Sequence, residues 1–480
     1  MASFYWYDLE TSGTDARWDR ITQFAGLRTD LELNEIGDAE SFYVQLPDDV
    51  LPNPDAALVT GITPQRLHAE GIPEWAALRR INELFSEPGT CAAGFNSLRF
   101  DDEFVRHGLY RNLFDPYARE FQNGNSRWDI MDLVRATGAL RREGMQWPVD
   151  EEGLPVYRLE KLTVANGIDH GNAHDALSDV RATVALARCL RNAQPKLFDY
   201  YLGLRDRRQI RGLLEPAGAR LCVHVSGMYG RARRGIAPVV SIGRHPTNSN
   251  AIVVVDVSQD IDGLLEWPED RIRTELYLKD NPARPPLKEV RINRCPFVAP
   301  VDVLNAEHWA LLGCTKRDAE ERARRLRRPD IAQKILRVFA TRTPHPKAID
   351  PEAALYDAFL EDADRSRTRA LQQTLMTDAW QDMDFRDRRL RELAVRLKAR
   401  SFGHLLSEAE QTDWREFVRD KVMQDGPWLG LAAFRARIAE LRASLPEAQP
   451  GTPAANPRAA GVLDALDAHA DDLAARYGLG

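Results

Sequence analysis

The stretch YWYDLET, residues 5–11, is the feature that most constrains the fold. Its aromatic residues, with Phe4 before them, are typical of a buried β-strand. Side chains alternate between the two faces of a strand, so Asp8 and Glu10 point the same way. Two carboxylates on one face of a buried strand are costly unless something positive lies between them. The pattern therefore predicts a site for positive charge at the end of the first strand.

Length and composition narrow the class of protein. A chain of 480 residues is long enough for about three domains, and 44% hydrophobic with 29% charged residues is ordinary for a globular protein. No apolar segment approaches a membrane-spanning length, so we expect no membrane association. Five scattered cysteines without a CxxC pair favour a reducing compartment and argue against structural zinc, so we predict a cytoplasmic protein.

The first domain, predicted over residues 1–190, has an α/β pattern. We expect a mixed sheet with helices on its faces, because short strands are followed by alternating helices. A turn is expected over 54–71. The predicted strands are 5–11, 19–30, 41–47 and 89–96, and the predicted helices are 72–87, 100–112, 128–140 and 174–192.

Two further regions with different sequence patterns follow the first domain. Residues 195–345 contain short apolar strands between Gly, Pro and Asn, which indicate a small β-barrel or sandwich closed by a basic helix around Glu320–Arg328. Residues 350–475 are predicted to form an all-α domain, in which a flexible connection over 446–461 precedes one last short helix.

Further carboxylates stand where they could join Asp8 and Glu10. The segment GFNSLRFD places Asp101 just after a strand-to-helix junction, although spacing alone does not separate it from Asp102. The segment HDALSD offers His174 and Asp179. On a helix these two would be about 140° apart and would not share a face, whereas a His174 in the preceding loop could reach the same cleft. His170 lies four residues earlier and is the alternative histidine.

These segments resemble the DEDDh exonuclease superfamily, in which DxE, a Gly-aromatic-Asn segment ending in Asp, and HxxxxD occur in this order. Thr60–Thr63, TGIT, resembles a turn of the same enzymes. Longer segments are similar to the bacterial exodeoxyribonuclease I family, among them YRLEKLTVANGIDHGNAHDALSDVRAT, QPKLFDYYL and VHVSGMYG. The resemblance implies a ribonuclease H-like exonuclease domain, an SH3-like β-barrel domain and an all-α C-terminal domain.

The resemblance also implies a chemistry for the acidic set. Asp8 is expected to bridge two Mg²⁺ ions, with Mn²⁺ as a possible substitute. Glu10 and Asp179 would hold one ion, and Asp101 would lie near the other. His174 would take the proton from the attacking water. The implied reaction is stepwise, processive 3′→5′ hydrolysis of single-stranded DNA to 5′-mononucleotides in DNA repair or recombination.

Substrate contacts are expected around this set. Glu10 and His174 would also touch the substrate, and Arg158 matches an arginine of the family in YRLEKLT. Arg106 and Arg135 fit phosphate contacts, with a solvated or ion-paired arginine as the alternative. Phe100 and Trp128 could stack on bases, and either could equally belong to the core.

Two basic segments have open interpretations. Tyr229 with Arg231, Arg233 and Arg234 could line the path of the strand or form a solvated hairpin. Residues 316–337 contain nine Lys/Arg and four Asp/Glu. This segment could follow DNA phosphates or form a solvated face. The family resemblance implies a third interpretation, in which residues 316–337 bind the acidic C-terminal tail of single-stranded DNA-binding protein. A monomer is expected.

Two other functions compete with this hypothesis. The same catalytic core could act on RNA, as small DEDDh ribonucleases do, although those chains typically have one domain. Alternatively the protein could bind nucleic acid without cleaving it. Every expected ligand position carries a suitable residue, which favours an active enzyme.

Overall fold

The computed structural model describes residues 2–171, 175–340, 347–375, 380, 384–424, 426–445 and 457–479. Within these residues ten strands form two separate five-stranded sheets. The first sheet has the order β3-β2-β1-β4-β5. The strand β1 pairs antiparallel with β2 and parallel with β4, so the predicted mixed sheet is confirmed. Its strands are β1 Ser3–Thr11, β2 Ile21–Thr29, β3 Glu35–Tyr43, β4 Thr90–Gly94 and β5 Ser126–Asp129.

Aromatic side chains of β1 fill the cores on both faces of the first sheet. Phe4 and Trp6 pack on one face with residues of two later helices, whereas Tyr5 and Tyr7 pack on the other. This alternation places a hydrophobic layer on each side, as a sheet covered on both faces requires. The helices of this domain are α1 Pro54–Thr60, α2 Pro64–Glu70, α3 Glu74–Ser86, α4 Asp101–Arg111, α5 Ile130–Leu140, α6 Leu159–Ala165 and α7 Ala176–Ala193.

Three local predictions for this domain need correction. The third strand lies at 35–43 rather than 41–47; it is a mostly exposed edge strand, so it has no apolar pattern. The expected turn over 54–71 contains two short helices. Each begins with proline behind a capping side chain, Asn53 for α1 and Thr63 for α2. The strand β5 was not predicted, because four residues give too little periodicity.

The helices α8 Pro195–Gly203 and α9 Arg207–Leu214 lead to the second sheet. All its strands are antiparallel, in the order β10-β6-β7-β8-β9, and the predicted SH3-like domain is confirmed. One face of this sheet shares a core with the first domain, and helices cover the other face. The elements are β6 Leu221–Val225, β7 Ile236–Arg244, β8 Ala251–Asp256, β9 Leu287–Arg291, β10 Phe297–Pro300, α10 Asp262–Glu266, α11 Glu269–Tyr277, α12 Ala306–Leu312, α13 Lys316–Leu326 and α14 Pro329–Ala340.

The remaining described residues are helical, which confirms the predicted all-α C-terminal domain. A short 3-10 helix, Pro351–Tyr356, comes first. The last helix has 21 residues and is longer than expected, because residues 457–461 of the predicted connection belong to it. The rest of that connection, 446–456, lies outside the described residues. The α-helices are α15 Asp362–Thr374, α16 Arg388–Ser401, α17 Glu408–Met423, α18 Leu431–Ser444 and α19 Pro457–Tyr477.

A buried network of charges, here called the interdomain charge cluster, joins the first domain to the helical domain. At its centre the Glu352 carboxylate, which is fully buried, accepts hydrogen bonds from Arg20 at 2.5 Å, Arg400 at 2.6 Å and Arg396 at 2.9 Å. Each buried charge has partners of opposite sign, which is the condition under which burial is tolerated. The cluster comprises Arg20, Asp49, Glu74, Arg111, Asp350, Glu352, Arg396, Arg400 and Lys421.

Candidate active site

The strand β1 delivers two carboxylates to the end of the first sheet. Phe4 and Trp6 face the core beneath α5 and α7, so Asp8 and Glu10, in phase with them, face the beginning of α7. The register between β1 and β2 shifts between Glu10 and Thr11. Such a bulge ends regular pairing and re-aims the side chains at the strand end.

Two helix N-termini bring the other predicted carboxylates to this place. Asp101 is the first residue of α4, and Asp179 lies in the first turn of α7. Asp175 caps α7 by accepting a hydrogen bond from the Ser178 backbone at 3.1 Å. Carboxylates are favoured in a first turn because the helix dipole is positive there.

Three of the four predicted ligands converge. Oxygens of Asp8, Glu10 and Asp179 lie within 4.8 Å of one another. Asp101 is outside this triad but is close enough for its charge to raise the pKa of Asp8. Its own carboxyl is buried and hydrogen-bonded to the main chain of Leu9, between the two β1 carboxylates. The four side chains thus form one acidic site with Asp8 in the middle.

Negative charge dominates the electrostatics around Asp8 and Glu10. Burial, with the charges of Asp101 and Asp179, holds the pKa of Asp8 well above its ordinary value. Burial and the neighbouring charges of Asp8, Asp179 and Asp175 raise the pKa of Glu10 to about 9. Every neighbouring charge that shifts these two pKa values is another carboxylate. A buried acidic group of this kind is stabilised by a bound cation, and hard carboxylate oxygens match Mg²⁺ and Mn²⁺.

The structure describes one of the two candidate histidines. His170 places Nδ1 3.1 Å from the Thr163 hydroxyl and hydrogen-bonds the Asp179 carboxylate through Nε2. Its side chain is buried, so it acts as a support for a member of the triad. The other candidate, His174, belongs to residues 172–174, which lie outside the described residues.

Asp129, which sequence reasoning missed, orders the loop before Asp101. Its buried carboxylate accepts backbone hydrogen bonds from Asn96 at 2.8 Å, Leu98 at 3.2 Å and Met131 at 2.9 Å. Asn96 has a φ of 63°, a conformation that needs such support outside glycine. The only sequence feature that could have predicted this role is an Asp at a strand-to-helix junction. The same feature is equally typical of an ordinary helix cap.

Three of the predicted substrate contacts are exposed or half-buried, so their side chains could still reach a substrate. Arg158 is exposed just before α6, and no other described residue binds its side chain. Arg135 is half-buried and donates to Asp132 at 2.8 Å. Phe100 is half-buried, with its ring centroid 5.0 Å from that of Phe104.

The structure contradicts two of the predicted contacts. Trp128 is completely buried among Phe4, Phe198 and Tyr201, so it cannot stack on a base. Arg106 is buried and fully engaged, because its guanidinium donates to Glu120 at 2.7 Å and to Glu103 at 3.0 Å. Helical periodicity could not distinguish these residues from exposed ones, since their partners come from other parts of the chain.

The basic loop at 229–234 is likewise not a free positive surface. Arg231 pairs with Asp150, Arg233 with Asp256 and Arg234 with Glu307. Residues 316–337 form two helices, α13 and α14, and most of their cations also have partners. Among the described residues, only the side chains of Arg317 and Arg327 in this segment make no hydrogen bond or ion pair.

A cleft of about 1590 Å³ lies where the three domains meet. Arginines of all three domains line it, and two aromatic side chains are exposed on it, Phe121 at 66% and Phe359 at 81%. Exposed aromatic rings with arginines are the combination that single-stranded nucleic acids bind. Besides the buried and fully engaged Arg106, the lining arginines are Arg127, Arg205, Arg207, Arg208, Arg291, Arg294, Arg365 and Arg369.

Comparisons with known proteins agree with this architecture. Three family descriptions match successive parts of the chain: "Exonuclease" at residues 5–187, "Exonuclease I SH3-like domain" at 205–341 and "Exonuclease I C-terminal domain" at 349–473. The first match defines the class, because it covers the sheet and all four carboxylates. The chain belongs to the exodeoxyribonuclease I family of exonucleases.

Individual relatives extend this result. Exodeoxyribonuclease I of Escherichia coli K12 is 42% identical over 87% of this chain and 90% of its own length. The crystal structure of E. coli exonuclease I with a dA16 oligonucleotide matches 98% of this chain and all of that chain, at 38% identity and a TM-score of 0.91. A crystal structure of SSB/exonuclease I with the inhibitor CFAM matches 98% of this chain and all of that chain, at 38% identity and a TM-score of 0.88.

Proposed function

We propose that this protein is a Mg²⁺-dependent 3′→5′ exonuclease that degrades single-stranded DNA stepwise to 5′-mononucleotides. The observation that carries the proposal is the convergence of Asp8, Glu10 and Asp179 from two separate elements, with no cation among the charges that shift the pKa values of Asp8 and Glu10. The E. coli relative, whose structure holds a dA16 oligonucleotide, supports single-stranded DNA as the substrate.

Asp8, Glu10, Asp101 and Asp179 are the residues that would hold the metal. Two bound ions supply stabilisation of the attacking and leaving oxygens of an in-line displacement. The chain itself contributes the placement of these ligands. The β1 main chain fixes Asp8 relative to Glu10, while Asp129 fixes the loop that leads to Asp101.

For the proton transfer we propose His174, with His170 as a supporting residue. His170 bonds Asp179 directly and so orients a metal ligand, as a partner outside the first coordination sphere commonly does. A general base instead needs access to the attacking water. We expect His174→Ala to abolish turnover with little change in metal affinity, and His170→Ala to weaken metal binding measured by calorimetry. The reverse pattern would exchange the two roles.

We propose that the strand passes through the three-domain cleft and that degradation is processive. The cleft is lined by arginines and exposed aromatic rings of all three domains, so a strand lying in it would be held on several sides. Addition of excess unlabelled strand after the start of a reaction tests this proposal. Continued shortening of the labelled strand is expected, whereas release after a few nucleotides would contradict processivity.

We further propose that the acidic C-terminal tail of single-stranded DNA-binding protein binds residues 316–337, which form α13 and α14. Arg317 and Arg327, which lack partners among the described residues, are the candidate cations, and the SSB/exonuclease I crystal structure supports the pairing. Binding of a labelled tail peptide should weaken in Arg327→Ala and at high salt. Unchanged affinity in that variant and in Arg317→Ala would remove this segment from the proposal.

We also propose that the protein acts as a cytoplasmic monomer in DNA repair or recombination, and that its domains divide at 1–190, 195–345 and 350–475. The free cysteines among the described residues support a reducing compartment. No described helix has the length and apolar character needed to cross a membrane.

A time course on a 5′-labelled single-stranded DNA oligonucleotide tests the main proposal. The matched substrates are the RNA counterpart and the duplex, and the matched protein is Asp8→Ala. We expect progressive shortening of the single-stranded DNA alone, lost in Asp8→Ala and in EDTA. Faster loss of the RNA would overturn the substrate assignment, and activity in Asp8→Ala would overturn the metal site.

A further inference from the structure

The edge strand β9 carries a lysine that points toward the nuclease domain. Lys288 is paired in register with Val254 of β8 and is in phase with Val290. Val254 and Val290 belong to the core that the second sheet shares with the first domain. Side chains in phase on a strand, or directly opposite across a ladder, share a face of the sheet. Lys288 therefore projects on the nuclease side, at the edge of the SH3-like sheet.

The Lys288 ammonium has no carboxylate partner among the described residues. It is half-buried, lies 5.8 Å from the centroid of the Tyr229 ring, and forms no hydrogen bond or ion pair with any other described residue. Its neighbour Glu289 points to the opposite face, where it lies 3.3 Å from Arg291 and 3.8 Å from His245. Other half-buried cations on this sheet's surface do have acidic partners, Arg233 with Asp256 and Arg234 with Glu307.

The charged surroundings of Lys288 are mixed, with more positive than negative groups. Burial, with the charges of Arg284 and Arg99 acting against that of Glu289, lowers the pKa of the Lys288 ammonium to about 8. Arg99 is exposed in the loop two residues before Asp101, and it is close enough for its charge to lower the pKa of Lys288. Asp132, the nearby carboxylate, is already engaged by Arg99 at 2.7 Å and by Arg135 at 2.8 Å. Lys288, Arg284, Arg99 and Arg135 carry four positive charges against the three carboxylates Glu289, Asp129 and Asp132, and an anion would stabilise this excess.

We propose that Lys288 binds a backbone phosphate of the DNA strand beside the active site, on the SH3-like side of the Arg99 loop. This inference rests on the proposed function, since the anion is a phosphodiester of the substrate. A phosphate would give the ammonium the charge-assisted partner that the chain does not provide. Lys288 is thus a positioning residue for phosphates other than the one that is cleaved.

The experiment compares Lys288→Met, Lys288→Arg and the control Lys196→Met. Lys196 is exposed on α8, whose Tyr200 donates to the Val298 carbonyl of β10, the strand at the opposite edge of the same sheet from β9. Steady-state rates are measured on a 20-nucleotide strand and on a dinucleoside monophosphate. The latter contains only the scissile phosphate, so it offers nothing for Lys288 to bind.

For Lys288→Met we expect KM for the 20-nucleotide strand to rise about fivefold, with kcat nearly unchanged. The slope of log KM against log salt concentration should fall by about 0.7, the contribution of one phosphate on a single strand. Rates on the dinucleoside monophosphate should not change. Lys288→Arg should restore both KM and the slope, and Lys196→Met should resemble the wild type.

An unchanged salt slope in Lys288→Met would overturn the proposal, as would an equal loss on both substrates. The melting temperature of each variant shows whether the sheet is intact. If Lys288→Met is unfolded, the charge-retaining Lys288→Arg and the neutral Lys288→Gln provide the same comparison. A wild-type protein that fails to shorten any DNA would instead refute the proposed function.

Discussion

The protein contains two buried groups of carboxylates that differ in their surroundings. In the interdomain charge cluster, Glu352 contacts three arginines, which hold its pKa well below the ordinary value despite burial. In the acidic site, Asp8 and Glu10 face only other carboxylates, which together with burial raise their pKa values. Burial is common to both groups, so burial alone does not mark a functional site.

The difference lies in whether the chain supplies its own counter-charge. The interdomain charge cluster is complete and needs no ligand, so its purpose is the attachment of two domains. In the acidic site, the described residues place no cation among the charges that shift the pKa values of Asp8 and Glu10, so a bound cation would balance those two carboxylates. An uncompensated group of buried acids is thus the stronger signal of function.

The largest expected effect comes from Asp8→Asn. Activity should fall by about a thousandfold, because the residue proposed as the central metal ligand loses its charge. In EDTA the same variant should be more stable than the wild type by about 1 kcal/mol, since a repelling carboxylate has been removed. Single-turnover kinetics and thermal unfolding measure the two effects. A lower melting temperature in EDTA would show that the site is balanced without metal.

Glu352→Gln should show the opposite combination. The free energy of unfolding should fall by about 3 kcal/mol, because three guanidinium groups each lose one of their two charged partners in a buried setting. The folded fraction should keep nearly wild-type kcat at 25 °C, which a denaturant titration beside an activity assay can establish. A large loss of kcat in fully folded protein would mean that the two clusters are coupled.

Added Mg²⁺ should stabilise the wild type by about 2.7 kcal/mol when the free ion is at 100 times its Kd. Asp8→Asn should show almost none of this effect, and Glu352→Gln should show all of it. Melting curves with and without Mg²⁺ make the comparison. Equal stabilisation of all three proteins would place the ion elsewhere.

Acid should weaken the interdomain charge cluster selectively. The folded pKa of Glu352 is depressed below its ordinary 4.5, so its contribution is complete above pH 4.5 and is lost as the pH falls through the folded value. The stability of the wild type should therefore fall more steeply than that of Glu352→Gln below pH 4.5. Urea titrations across pH 3–6 would show this, and parallel curves would contradict it.

The smallest effect is expected at an exposed pair. Arg66 and Glu70 lie 3.2 Å apart on the surface of α2, and Glu70→Gln should change stability by less than about 0.5 kcal/mol. This variant is the matched control for Glu352→Gln, since both remove one carboxylate that faces arginine. A comparable loss in both variants would show that burial does not amplify the interaction.

The sequence was sufficient to predict elements whose pattern is local. Strand alternation placed Asp8 and Glu10 on one face, and the order of the motifs brought Asp101 and Asp179 to them. It was insufficient where the partner is distant in sequence. Nothing local distinguishes Arg106, which is bound to Glu120, from Arg158, which is exposed. The sequence did not predict a role for Lys288, because the orientation of its side chain depends on which face of β9 packs against the first domain.

The contact between α19 and the first domain has a consequence for biosynthesis. Arg458 donates to the Thr60 carbonyl, 398 residues earlier in the chain, and Leu51 and Ala57 pack within the core of the helical domain. At about 5–20 residues per second, a ribosome needs about 20 to 80 s to synthesise that interval. During this time Leu51 and Ala57 lack the apolar cover that the helical domain provides, so this surface of the nascent chain is more exposed than in the finished protein.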